Sequence, residues 1–150
     1  MKIILALIAA LLLFNASEIK AEVQEGTPVA NFLSVLPFGE YTGVSNVNGK
    51  ACYISVQPAL NEAVFVVVTG GNDIRKNIKV DNYSQSFFNE DKQDFRLSKR
   101  LDFGVKYIES AIRTYRAANG FLYVSVHYVN YASSVGPKDK AECVLSPATI

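Results

Sequence analysis

The chain of 150 residues has no tryptophan, one methionine, one histidine and two cysteines. A single imidazole, His127, leaves too few nitrogen donors for a zinc or copper site built on histidine. The acidic loops Gly71-Asn72-Asp73 and Asn89-Glu90-Asp91 lack calcium-loop spacing. No glycine-rich phosphate loop is present, so neither a metal nor a nucleotide cofactor is expected. An apolar run long enough for a membrane helix, about 20 residues, is also missing. So is an excess of either charge: removing Lys2, Lys20 and Glu18 from fifteen basic and fourteen acidic side chains leaves thirteen of each. A near-neutral domain has no global field to draw in nucleic acid.

Met1-Lys2 is a short basic start, Ile3 to Phe14 is an apolar run, and a polar stretch runs to Ala21. That order of charged, apolar and polar segments with a small residue at the end is the layout of a secretory signal peptide. It predicts a leader over residues 1–21, cut after Ala21. The mature chain is expected to be exported, to periplasm or beyond. With about 130 residues it suits one domain. The expected organisation is an N-terminal segment with a short helix over 22–37 and a single β-domain over 38–150.

In an exported chain an even cysteine count reads as a disulfide, here Cys52 with Cys143. The chain-entropy argument gives such a long loop about 4–5 kcal/mol of stabilisation.

Thr27-Pro28 reads as a helix start, with threonine as cap and proline at the first helical position. Val29, Phe32, Leu33 and Leu36 follow on one helical stripe, and Pro37 ends it. Beyond Pro37 the apolar period changes from helical to two. Strands are predicted over 40–45, 50–57, 63–68, 74–81, 94–99, 101–107, 110–116, 121–131 and 140–145. Those over 94–107 are taken as one continuing element with a bulge or turn near Gly104 or Glu109. Residues 82–91, with Phe87 and Phe88, read as a polar loop. Asn48-Gly49 marks a hairpin, and Ala117 to Gly120 fits a type I turn with a glycine bulge. Ala63 to Val68 is apolar on both faces, so it is either buried twice or turned towards a ligand. The sum is an all-β antiparallel meander of about eight strands with one short N-terminal helix. It is expected to close into a small barrel, with a two-layer sandwich as the alternative. A bridge between the second and last strands would join early and late edges of the sheet.

Chemistry is sparse. Ser125 and His127 share a strand face at i and i+2, about 7 Å apart, with no acidic orienter in view. Asp94, Asp102 and Glu109 are carboxylates set among basic residues, as solvated ion pairs usually are. No catalytic set is assigned. Asn82-Tyr83-Ser84 matches a glycosylation sequon.

Two surface groups remain as binding candidates. Tyr53, Tyr115, Phe121, Tyr123, His127 and Tyr131 fall opposite the presumed core phase of their strands. Tyrosine combines an apolar body with a polar tip and suits binding surfaces, although cross-strand packing explains such rings equally well. Arg96, Lys99, Arg100, Lys106, Arg113 and Arg116 form a basic block that suits a polyanion or partner, or a solvated strand face. The leading expectation is therefore a non-enzymatic exported β-domain. It would bind an envelope component, a protein (an enzyme it inhibits among the options) or a small apolar ligand. The alternatives are a small secreted hydrolase and a structural envelope or matrix protein.

Overall fold

The computed structural model describes residues 26–70, 74–103, 106–130 and 138–147. The expected leader over 1–21, part of the expected turn at 71–73 and the expected break at 135–137 lie outside them. Helix α1, Pro28–Val35, begins as its sequence dictates. Thr27 is the cap, and its hydroxyl oxygen accepts from the Ala30 amide at 3.3 Å. A second acceptor comes from outside the helix: the Asn82 side-chain oxygen takes the Val29 amide at 3.1 Å. Val29, Phe32, Val35 and Leu36 are fully buried, with Leu33 packed half-buried beside them. Val35 thus joins the expected stripe.

Nine antiparallel strands follow: β1 Gly39–Val44, β2 Ala51–Ala59, β3 Ala63–Thr69, β4 Arg75–Val80, β5 Ser86–Asn89, β6 Asp94–Phe103, β7 Lys106–Arg116, β8 Leu122–Asn130 and β9 Lys138–Leu145. They form one sheet in the order β4-β3-β2-β1-β9-β8-β7-β6-β5, curled into a half-barrel. The meander runs outward from β1 to β4, crosses to the far edge at β5, and returns to β9 beside β1.

The strand beyond the expected eight is β5, which lies inside the segment read as a loop. Phe87 and Phe88 adjoin, so no alternation shows, and the strand is only four residues long. Continuous antiparallel pairing from Phe103↔Lys106 to Phe95↔Thr114 makes β6 and β7 two separate strands. The Asn48-Gly49 hairpin forms, but around a loop closed by Ser45 and Lys50, with only Gly49 of that pair at positive φ. The Ala117–Gly120 turn forms as expected, with Gly120 at φ +82° and the Ala117 amide donating to the Phe121 carbonyl.

Among the described residues no ladder joins the terminal strands β4 and β5, so the sheet remains open there. Helix α1 lies against β4, β5 and β6 and covers the gap. Phe32 meets Phe95 edge-on with ring centroids 5.4 Å apart. Across the same gap the Lys99 ammonium pairs with Asp81 of the β4–β5 connection at 2.5 Å.

The inner face is packed by the strands' own apolar phase: Ile54, Val56, Val64, Val66, Val68, Leu97, Ile112, Leu122, Val124 and Val126 join the helix in one core. Each is essentially excluded from water. These residues and α1 fill the concave side, so the exposed binding chemistry lies on the convex one.

The Cys52–Cys143 disulfide forms, with Cα atoms 5.6 Å apart. It does not join the sheet's edges. Cys52 on β2 and Cys143 on β9 flank β1 on either side, and their short separation across two strand spacings of about 4.8 Å requires the sheet to bend at β1. Gly43 of β1, paired with Cys52, lies under the bridge. A Cβ at Gly43 would sit 2.3 Å from the Val144 carbonyl oxygen and 2.9 Å from the Cys143 sulfur. The bend therefore needs glycine at this position.

Candidate functional site

The basic block of the sequence is divided by strand phase. Arg96, Arg100 and Arg113 point outward from β6 and β7. Lys99 lies on the opposite phase and holds Asp81 at the gap. Arg116 is anchored by the Gln93 side chain and by the Gly120 carbonyl at 2.7 Å. The Lys106 side chain lies outside the described residues.

The three outward arginines are matched by acids. Arg96 and Arg113 stand directly opposite each other, and the nearly buried Asp94 bridges them. Arg96 Nε donates to Oδ1 at 3.0 Å, and Arg113 Nε to the same oxygen at 3.3 Å. Arg100 Nε donates to Asp102 at 2.8 Å, and Glu109, opposite Arg100, accepts from Ser98. Hydrogen bonds from Arg96, then from Arg113, hold the Asp94 carboxyl below the usual carboxylate range despite its burial. A general acid needs the reverse shift. Aromatic faces complete the arrangement: Arg96 lies over Phe87, Arg113 over Tyr115, and Arg100 over Tyr107 at 3.9 Å. A groove of about 660 Å³ runs along this surface. Its cations are already spent on internal partners, so the net field available to a polyanion is small.

The aromatic candidates are also divided. Tyr115 and Tyr123 are cross-strand partners with rings stacked 4.8 Å apart, an arrangement that stabilises a sheet. Phe121 is half-buried beside the β7–β8 turn. His127 is half-buried on β8 opposite Ala111, and no hydrogen bond joins it to Ser125. Tyr131 lies outside the described residues. Tyr53 stands apart on β2, separated from Tyr123 by two intervening strands.

The surroundings of Tyr53 differ in kind. Its side chain is 58% exposed. Thr42, Tyr53, Thr69 and Arg75 are successive cross-strand partners, forming one straight row over β1, β2, β3 and β4. Glu40, Ser55, Val67 and Asn77 form the next row. At about 4.8 Å per strand each row spans roughly 14 Å. Between the rows lies a shallow depression of about 450 Å³ floored by Val67. This accounts for the second apolar face of β3: Val67 is buried in the floor and Phe65 stands partly exposed beside it.

Among the described residues the Tyr53 hydroxyl, the Arg75 guanidinium, the Glu40 carboxylate and the Thr42 and Thr69 hydroxyls make no hydrogen bond or ion pair. Arg75, Thr69, Thr42 and Glu40 are residues that reading the sequence did not single out. Their row exists only through the register of four strands.

Among the described residues no group of three or more histidine, cysteine, aspartate or glutamate side chains could hold a metal ion. No protein-family model, curated protein or solved structure matches the chain.

Proposed function

We propose that this protein is a non-enzymatic, exported binding domain whose contact surface is the convex face of β1–β4 centred on Tyr53. The observation that carries this reading is the exposed ring set among hydrogen-bonding groups that have no partner within the described fold. Exposed polar side chains hydrated by water are free to exchange it for a ligand, whereas Arg96, Arg100 and Arg113 are already engaged by acids of the fold. A row left unpaired around an aromatic anchor has the chemistry of a recognition surface. The disulfide is compatible with export, as is the lack, among the described residues, of a helix long and apolar enough to cross a membrane. The packed inner face argues against a small apolar ligand carried inside.

Native mass spectrometry of the protein isolated from its exported fraction without refolding tests the reading. The wild type is expected to carry a companion molecule, and Tyr53→Ala is expected to lose it while keeping its melting temperature. A companion retained in full by Tyr53→Ala, or a bare monomer in the wild type, would count against this face.

A further inference from the structure

Resting on that reading, the geometry points to an acidic glycan as the ligand: two or three sugar rings laid across the strands, with a carboxylate at the Arg75 end. Three features of the row select this chemistry. An exposed tyrosine ring offers an apolar face to the C–H face of a pyranose, and it does so at low conformational cost because few side-chain torsions must be fixed. Thr42 and Thr69 stand on either side of that ring as direct cross-strand partners. Each can donate and accept, which suits a hydroxyl-rich ligand. Arg75 follows Thr69 in the same row and presents a planar fork to a carboxylate, a match that a neutral sugar does not use.

The dimensions agree. A row of roughly 14 Å holds two to three rings, and the depression is shallow, as an extended chain requires rather than a compact ligand. The outward groups of the first three strands are uncharged along this row, and the Glu40 carboxylate beside it on β1 turns a ligand's acid away from that end, so Arg75 at β4 sets the polarity of binding. A chain laid in this way would place its acidic residue at β4 and its neutral part over β1 and β2. The opposite groove on β5–β7 lacks this asymmetry, because its arginines already hold Asp94 and Asp102.

The test is titration of the isotope-labelled, disulfide-bonded protein with a glucose hexamer whose terminal unit is a uronic acid, beside the neutral glucose hexamer, followed by amide NMR. The expected result is that the uronate moves the Thr42, Tyr53, Thr69 and Arg75 amides and binds more tightly than the neutral hexamer. Tyr53→Ala should weaken uronate binding about tenfold or more, and Tyr53→Phe should keep most of it. Arg75→Gln should cost about tenfold for the uronate and leave the neutral hexamer unchanged. Uronate binding unaffected by Tyr53→Ala and Arg75→Gln overturns the site. Equal affinity for both hexamers overturns the acidic ligand. If neither hexamer binds while Tyr53→Ala still strips the co-isolated companion, the glycan is wrong and the binding face stands. If the companion is also unaffected, both fall.

Discussion

Two single positions show backbone geometry setting the choice of residue, in opposite senses. At the β2–β3 turn, Asn61 and Glu62 both have positive φ, at 60° and 54°. Asparagine tolerates the left-handed region, but glutamate has no local hydrogen bond to offset its Cβ clash, which costs about 1–2 kcal/mol. Glycine there removes the clash and gives back part of the gain as unfolded-state entropy. Glu62→Gly is therefore expected to stabilise the fold by about 0.5–1 kcal/mol in urea titration. At Gly43 the case is reversed. Its φ is ordinary, yet a methyl group would strike the Val144 carbonyl and the disulfide sulfur. Neither is the free end of a flexible side chain. Gly43→Ala is expected to cost about 2–3 kcal/mol as β1 and β9 move apart. A loss below about 0.5 kcal/mol would show that the bend relaxes easily. The candidate site has the same dependence on geometry. Tyr53 was legible because it alternates against Cys52 and Ile54. Thr42, Thr69 and Arg75 were not, since nothing local marks three polar residues from three strands as neighbours.

Elements with a strong period were legible. The α1 stripe, the Ile54–Val56 phase and the Phe121 to His127 alternation all announce themselves within a few residues, because the buried side repeats at the helical or strand period. The failures are physical too. Strand β5 is short, with adjacent phenylalanines, and it exists because β6 offers an unpaired edge, which is tertiary information. The gap between β4 and β5 is likewise invisible in sequence, as is the placing of α1 over it, fixed by Asn82 and by Phe32 against Phe95. The cysteine pair was legible, but its role was not. It secures a bend over β1 rather than an edge. Among the described residues Val44↔Val144 is the one pair between β1 and β9, so that junction has few hydrogen bonds of its own and depends on the covalent bridge. Cys52→Ala with Cys143→Ala is expected to lose about 4–5 kcal/mol of stability. Hydrogen exchange should then rise first in β1 and β9 and not in β6–β8. Uniform loss of protection across the sheet would refute the idea of a weak junction.

Charge organises the molecule at two carboxylates, Asp81 and Asp94, one on each side of β5 in the sequence. At Asp81 burial pushes the carboxyl up, but hydrogen bonds from Lys99 and Ser84, the Lys99 charge and the Tyr83 amide outweigh it and hold the group below its usual range. At Asp94 the bonds from Arg96 and then Arg113 do the same against burial. Asp81 ties the β4–β5 connection to β6, and Asp94 holds together two arginines that would otherwise repel. Both groups have a folded pKa below the unfolded value of about 3.9. Their contribution is therefore complete above about pH 5 and is lost as the pH falls through the folded value. Stability should be flat from pH 7 to about pH 5 on their account and should decline below about pH 4. Asp94→Asn isolates one of them. The side chain of Asp94 is 9% exposed, but its arginine partners are 51% and 45% exposed. Solvent therefore screens the pairs, and the expected loss at pH 7 is about 1–2 kcal/mol rather than the cost of breaking a fully buried pair. The distinguishing result is the pH dependence of that loss. Urea titrations at pH 7, 5, 4, 3 and 2.5 should show the gap between wild type and Asp94→Asn closing only below about pH 4. At the lowest pH the wild-type carboxyl is itself increasingly neutral, and both proteins face the same uncompensated Arg96 and Arg113. A gap that stays constant across the series would mean that Asp94 acts through its shape and packing, and that its charge does not hold β6 to β7.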